Sequence, residues 1–403
     1  MAELSDSSVR EIKEQIRLRI SDIADVLVAT SHSIHARPEL NHEESFASEL
    51  LVRRSNELGL QVELGAHGCD TGFAGETGSG PTVCVMSEYD ALPGIGHGCG
   101  HNVIAAAGLG AAVALASVAE ACGGRVRYLG TPAEEGGGGK IIMARNGALE
   151  GVDAAMMVHS ADADLTTIDA IALQQLIVEY HGRESHAAAA PHMGRNALDA
   201  AVLGYMGVAA LRQHIMPTER VHGIFTRAGE KPNIVPREAA MEWYVRSDTI
   251  TTLGELKGRV LAALGAGATA CGCSMDHEWV GAAYADMVTN EHLSAAYATN
   301  AGLVGRTVAD PRSGGHRVVG STDMGNISHL VPSIHPMIAS APRGTSIHTS
   351  AFAASAVSAE ADKAVIDGAT MMAMTAVDFW VSDKLRAAVR EDFEKSNPGK
   401  DVL

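Results

Sequence analysis

The sequence predicts an α/β fold in which a mostly parallel sheet is interrupted by a smaller α+β insert. Three observations carry that expectation. Apolar runs of strand type at 82–87 (TVCVMS), 125–130 (RVRYLG) and 154–160 (AAMMVHS) alternate with longer Gly/Ala-rich helical segments, the pattern of βαβ units. From about Asp169 the texture changes: IALQQLIVEYHG and AAMEWYVRSD read as strands of an antiparallel layer, with NALDAAVLGYMGVAALRQHI as a long amphipathic helix between them. After CSMDHEW (273–279) the chain returns to the first domain through STDMGNISHLVPSIHPMIAS and a final helix from about Phe352 to Leu385. The expected division is therefore 1–168 with 279–403 for the first domain and 169–278 for the insert.

The chain opens with Ile12, Ile16, Ile20 and Ile23 at helical spacing, which predicts an amphipathic helix. It carries no basic-then-apolar leader, so a cytoplasmic protein is expected. Val103 to Ala119 is the one stretch resembling a membrane span; its Ala and Gly content and short length predict a buried core helix instead. With 403 residues, 46% hydrophobic and 20% charged, the chain has a globular composition and length for two domains. A net charge of -17 argues against nucleic acid or an anionic membrane as the main partner and leaves small molecules or proteins. Six cysteines, spread widely, form no dense disulfide framework, and free thiols are expected.

Loops that follow parallel strands gather at the carboxyl edge of the sheet, where open α/β folds bind ligands. Each of the three strand runs ends in or precedes Asp, Glu, His or Cys. Cys99 and His101 lie two apart in a glycine-rich loop, and their side chains converge only if the backbone turns tightly, which Gly98 and Gly100 permit. Glu134 and Glu135 are adjacent in GTPAEEGGGGK, His159 ends the third run, and His348 lies in GTSIHTSAF. Thiolate, imidazole and carboxylate together suit a borderline metal such as zinc, and they accommodate manganese or cobalt. Singly, each such residue is more often a packing or surface group; it is their common sheet edge that points to metal.

SEYDALPGIGHGCGHN (87–102), GTPAEEGGGGK (130–140), the His159 strand end, GRESHAAAAPHMGRNALDA (182–200), KPNIVP (231–236) and the His-Thr pair at 348–349 resemble the amidohydrolase branch of the di-metal peptidase family. That family includes aminoacylases, carboxypeptidase G and carnosinases, and the motifs are most similar to p-aminobenzoyl-glutamate hydrolase subunits and aminoacylase-like dipeptidases. The resemblance spans nearly the whole chain. It implies a catalytic domain holding two divalent ions, Zn2+ or Mn2+ with Co2+ possible, about 3.5 Å apart, and an insert that pairs two subunits into a homodimer. It also implies Cys99, His101, Glu135, His159 and His348 as metal ligands, Glu134 as general base, and Asp90 as a group that orients a ligand. His186, Asn233 and Arg246 match the positions with which family members reach substrate across the dimer; otherwise they read as a strand-end histidine, a turn asparagine and an exposed strand arginine. His97 has a histidine counterpart in close relatives, whereas Asn102 departs from the Asp that follows CGH in auxin-conjugate hydrolases.

The expected activity is metal-dependent hydrolysis of the C–N amide bond of an N-acyl or aroyl amino acid or a dipeptide-like substrate. Two alternatives stand beside it: hydrolysis of an amine on an aromatic ring, and an inactive subunit that only binds a partner. Retention of Glu134 beside a full ligand set argues against the second. The Cys271-x-Cys273 pair, two ligands without partners, reads as structural.

Overall fold

A computed structural model describes residues 5–313, 319–396 and 402–403. The chain divides into two compact units, Met1–Ala170 with Met287–Asp401, and Ile171–Asp286. The second boundary falls beyond 278 because the strand that begins at Ser274 continues to Tyr284.

In the first unit, a six-stranded sheet has the order Glu63–Leu64, Phe73–Gly78, Arg125–Gly130, Thr82–Ser87, Ala154–Met156, Ser333–Ile334. The three pairings from Arg125–Gly130 onward are parallel, while Phe73–Gly78 pairs antiparallel on both sides. Every residue of Thr82–Ser87 is buried, as expected of a parallel strand covered on both faces. The expected run at 154–160 splits in two, because His159–Ala161 leaves the main sheet to pair in parallel with Met337–Ala339.

Helix His101–Cys122 is apolar on every side and packs in the core of this unit, as the sequence predicts for 103–119. A second helix, Ala359–Val381, within the stretch predicted as the final helix, is also long and apolar enough to cross a membrane, and it too is mostly buried in the protein. The amphipathic N-terminal helix runs Asp6–Asp22, capped by Ser5 and burying Ile12, Ile16 and Ile20. The single final helix expected over 352–385 is three: Ser350–Ser355, Ala359–Val381 and Asp383–Ser396. Two serines make the breaks. Ser358 caps the middle helix by accepting from the Ala361 amide, and Ser382, extended at φ -115° and ψ 102°, accepts from the Leu385 amide through Oγ.

In the second unit, four antiparallel strands take the order Ser274–Tyr284, Ala172–His181, Glu238–Ser247, Arg220–Arg227. Burial alternates along Ala172–His181, so Leu176, Val178 and Tyr180 join a core with Trp243, Val245 and the helices Ala197–Leu211 and Ile250–Cys271. The two helices approach so closely that a Cβ on Gly267 would lie 2.2 Å from the Ala200 carbonyl oxygen.

Candidate metal centre

The carboxyl ends of the parallel strands lead into the loops that carry the motif residues. Thr82–Ser87 runs directly into Glu88-Tyr89-Asp90, Arg125–Gly130 into Thr131 to Glu135, and Ala154–Met156 toward His159. Gly100 caps the helix that begins at His101; it sits at φ 69°, and a Cβ there would lie 2.3 Å from Ser160 Oγ. Gly98 meets a different constraint, since its added Cβ would lie 2.9 Å from Ile95 Cγ2 and 3.0 Å from Leu92 Cδ1. The His348 amide donates to the Gly98 carbonyl at 2.9 Å, which ties the C-terminal loop to the cysteine loop.

Two residues in this region hold left-handed backbone without being glycine: Ala133 at φ 57° and His348 at φ 62°. The Ala133 amide donates to Glu44 Oε1 at 2.8 Å, and the buried Glu44 also accepts from Thr71 Oγ1. Burial raises the Glu44 carboxyl above its ordinary range. Such strain persists where surrounding bonds over-determine it, and here it delivers Glu134 and Glu135.

Cys99, His101 and His159 offer ligand atoms that all lie within 4.8 Å of one another, and Cys99, Glu135 and His348 form a second such group. Cys99 is common to both. A third group joins Glu88, His101 and Glu134. Asp90 lies between two of the motifs: Oδ1 is 3.1 Å from His101 Nδ1, and Oδ2 accepts from the Glu135 amide at 2.9 Å. The imidazole is thereby oriented with Nε2 toward Glu88, Glu134 and Glu135, at 3.4, 3.9 and 3.9 Å. His348 Nε2 approaches Glu135 Oε2 at 3.5 Å, and the His348 side chain is half exposed.

Burial pushes the Glu134 carboxyl well above the ordinary range, and the charges of Glu88 and Glu135 push it the same way. It also pushes the His159 imidazole down to about 3, so the ring is neutral. The Cys99 thiol is likewise raised by burial. Glu88 Oε1, His101 Nε2 and Glu135 Oε1 are buried with no hydrogen-bond partner. Orphaned acceptors gathered beside a thiol are what a divalent cation satisfies, so the residues fit such an ion.

The remaining predicted residues join no ligand group among the described residues. His97 is buried and stacks on His35 at 6.0 Å, and it joins no ligand group among the described residues. The Asn102 side chain donates to Ser31 Oγ and the Ala356 carbonyl, both at 2.8 Å, which gives it a packing role. Within the insert, His186 bridges to Ile234, and the Ala187 amide donates to the Asn233 carbonyl at 3.0 Å, so those two loops are neighbours. His186 Nδ1 accepts from the Ala188 and Ala189 amides, which places its ring proton on Nε2. Arg246 is not with them: it lies eight residues along the strand from Glu238, roughly 26 Å at the strand rise. Cys271 and Cys273 pack against the insert core and join no ligand group among the described residues.

Four residues beyond the predicted set, Glu88, Lys140, Asp323 and His335, also stand among these groups. Lys140 Nζ bonds Glu88 Oε2 at 2.7 Å and Asp323 Oδ1 at 2.8 Å, with all three side chains fully buried. His335 stands edge-on to His159, with ring centroids 5.5 Å apart. Glu88 and Lys140 lie inside the motifs quoted above, so the available signal was a charge within a run otherwise fated for burial.

Residues 84–374 match the family described as Peptidase family M20/M25/M40. The chain is 37% identical to Xaa-Arg dipeptidase of Mus musculus, covering 98% of this chain and 95% of that protein. Its identity to a p-aminobenzoyl-glutamate hydrolase subunit of Escherichia coli (strain K12) is 34%, over 61% of this chain and 54% of the relative. Among solved structures, a Bacillus subtilis dinuclear metal binding peptidase from the M20 family superposes with a TM-score of 0.69 at 18% identity, covering 89% of this chain and 98% of that one. At that identity the likeness is one of fold. The chain thus belongs to peptidase family M20/M25/M40 and is a metal-dependent hydrolase of amide bonds.

Proposed function

We propose that this enzyme hydrolyses the amide bond of a dipeptide or N-acyl amino acid at two divalent ions, zinc or manganese with cobalt as a substitute. The observation that carries the reading is the sharing of Cys99 between two ligand groups, one completed by His101 and His159 and the other by Glu135 and His348. Bound there, the ions would supply Lewis-acid polarisation of the scissile carbonyl and a water made acidic enough to attack near neutral pH.

The chain supplies the rest. Glu134 lies beside the ligand groups, within 4.8 Å of His101 and Glu88 ligand atoms, and accepts the proton of the attacking water before passing it to the leaving nitrogen. Its raised affinity for protons suits the second half of that task. Asp90 holds His101 and the Glu135 backbone in register.

Two copies complete the site in this reading. His186 and Asn233 of one subunit act on substrate in the other, His186 through its Nε2 proton. Arg246, near the far end of strand Glu238–Ser247, is a substrate-binding candidate to be tested on its own. Pairing is supported by the edge strand Arg220–Arg227, where Ile224 and Phe225 are 63% and 37% exposed, and by Val202, Leu203 and Met206 on the outer face of helix Ala197–Leu211. Six unpaired cysteines support a cytoplasmic setting. Small-molecule amides are the expected partners, with nucleic acid and membranes disfavoured by the charge of -17.

Metal analysis of the purified protein, combined with a substrate screen, tests the proposal. The identity to Xaa-Arg dipeptidase puts dipeptides with C-terminal arginine first, followed by N-acyl amino acids, β-alanyl dipeptides and p-aminobenzoyl-glutamate. Release of a free amino acid from one of these classes by the metal-loaded enzyme is the expected result. Hydrolysis of none, with metal bound, would overturn it in favour of a ring amine.

A further inference from the structure

Three atoms able to ligate a metal, His101 Nε2, His159 Nε2 and Glu88 Oε1, meet in the first unit. His159 Nδ1 lies 2.7 Å from the Ser160 carbonyl oxygen, which only accepts, so the ring proton is on Nδ1 and Nε2 carries a lone pair. His101 Nδ1 faces the Asp90 carboxylate at 3.1 Å and is protonated for the same reason. Glu88 Oε1 stands 3.4 Å from His101 Nε2 and 3.9 Å from His159 Nε2. Neither Glu88 Oε1 nor His101 Nε2 has a hydrogen-bond partner, and both side chains are at most 1% exposed. Buried ligand atoms gathered at this range without hydrogen-bond partners are satisfied together by one cation held among them.

The other side of Glu88 is fixed. Its Oε2 accepts from Lys140 Nζ at 2.7 Å, and Asp323 holds Lys140 twice, through the ammonium at 2.8 Å and the backbone amide at 3.0 Å. Lys140 and Asp323 cancel in charge, so the buried frame leaves the charge of Glu88 without a counter-ion of its own. The side chain is aimed by its anchored oxygen and leaves the second oxygen directed at two imidazoles. Donor atoms about 2.0–2.2 Å from one zinc ion stand roughly 3.3–3.6 Å apart across a tetrahedron, which the separation of Glu88 Oε1 and His101 Nε2 meets.

We propose that Glu88 is itself a metal ligand, binding through Oε1 the ion held by His101 and His159, and that Lys140 and Asp323 are the buried frame that aims it. The inference rests on the metal-centre reading above and adds to it a carboxylate outside the five ligands that the motifs supply.

The test uses full-length protein stripped of metal and titrated with cobalt(II), followed by visible absorption, whose bands report the donor set. Wild type, Glu88→Gln and Cys99→Ser are compared, with circular dichroism as the check on folding. If Glu88 is a ligand, Glu88→Gln binds one of its ions at least tenfold more weakly and its cobalt spectrum shifts. An unchanged affinity overturns the proposal. So does weaker binding with an unchanged spectrum, because Glu88 then acts only through its neighbours. Should Glu88→Gln fail to fold, Glu88→Asp keeps the charge beside Lys140 while drawing the oxygen back by one methylene, and the same spectral shift is required of it. Cys99→Ser separates the two claims: if it too binds cobalt as wild type does, the metal-centre reading fails, whereas if it alone loses cobalt, only the role of Glu88 fails.

Discussion

In the first unit buried polar atoms without partners gather within one ligand cluster, as with Glu88 Oε1, His101 Nε2 and Glu135 Oε1, whereas the insert carries most of the exposed large apolar side chains, as with Met206 at 58% and Ile224 at 63%. The two defects ask for different partners. A buried acceptor without a donor costs about 1–3 kcal/mol, more when charged, and several within a few ångströms of one another persist because an ion meets them. An exposed apolar strand at the end of a sheet also offers unpaired backbone, and what satisfies both is another strand. In the proposed reading one unit holds a cation and the other meets a second copy, and each can be disturbed without the other.

The largest effect belongs to the first unit. Glu134→Gln keeps a polar group of the same shape in the ligand cluster and removes the base. Turnover should fall by roughly 10²–10⁴-fold or more with metal content unchanged. Glu135→Gln should instead lose metal. Atomic absorption on both variants, beside initial rates, checks this pair. If Glu134→Gln is the one that loses its metal, the two roles are exchanged.

The second effect joins the two regions. His186→Ala should lower turnover by roughly 10²–10³-fold, the loss expected for one donor to a developing oxyanion. Its diagnostic is complementation. When Glu134→Ala and His186→Ala subunits are denatured and reassembled in equal amounts, half the dimers are mixed, and each mixed dimer has one site with both defects and one with neither. About one quarter of wild-type activity should return. A mixture as inactive as its parents, with wild type surviving the same treatment, would show that His186 does not serve a partner's site.

Legibility in the sequence divides along the same line. Strands 82–87 and 125–130 begin and end where the apolar runs do; the first is buried on both faces and has no solvent side to blur its pattern, and the second is marked by the alternation of Arg125 and Arg127 with buried Val126 and Tyr128. Strand Arg220–Arg227 went unread for the opposite reason: only Val221 is buried, so no alternation marks it. Motif spacing found Cys99, His101 and the glutamate pair, whose turn depends on local glycine. It could not reach Glu88, whose meaning comes from Lys140, 52 residues on, and through it from Asp323, another 183 residues away. The left-handed Ala133 is equally hidden, since a tertiary bond from its amide to Glu44 holds it there and no glycine announces it.

A third prediction concerns the edge strand alone. Ile224→Lys places a charge where the partner strand is expected, and burying it unpaired should raise the dimer dissociation constant by about a hundredfold or more. Sedimentation velocity would then show monomer at concentrations where wild type is dimeric. Metal content should not change, since the ligands lie in the other unit. A variant that sediments like wild type would move the pairing surface elsewhere.

The smallest effect should come from the remaining thiol pair. Cys271 and Cys273 flank Gly272, the left-handed residue that ends helix Ile250–Cys271, and the Cys273 amide completes that ending by donating to the Ala268 carbonyl at 2.9 Å. The thiols add little to it. Both side chains rest on the edge of the insert core, and the Cys273 thiol reaches only the Cys271 carbonyl, at 3.8 Å. Serine preserves the backbone bond and the φ values on either side, so the double Cys271→Ser, Cys273→Ser variant should bind metal in the wild-type ratio and lose less than about 1 kcal/mol of stability, the scale of a conservative change near the surface. Metal analysis and thermal melting of that variant decide the matter. Loss of an ion would place a further metal in the insert and end the proposed separation between a unit that binds cations and one that binds its own copy.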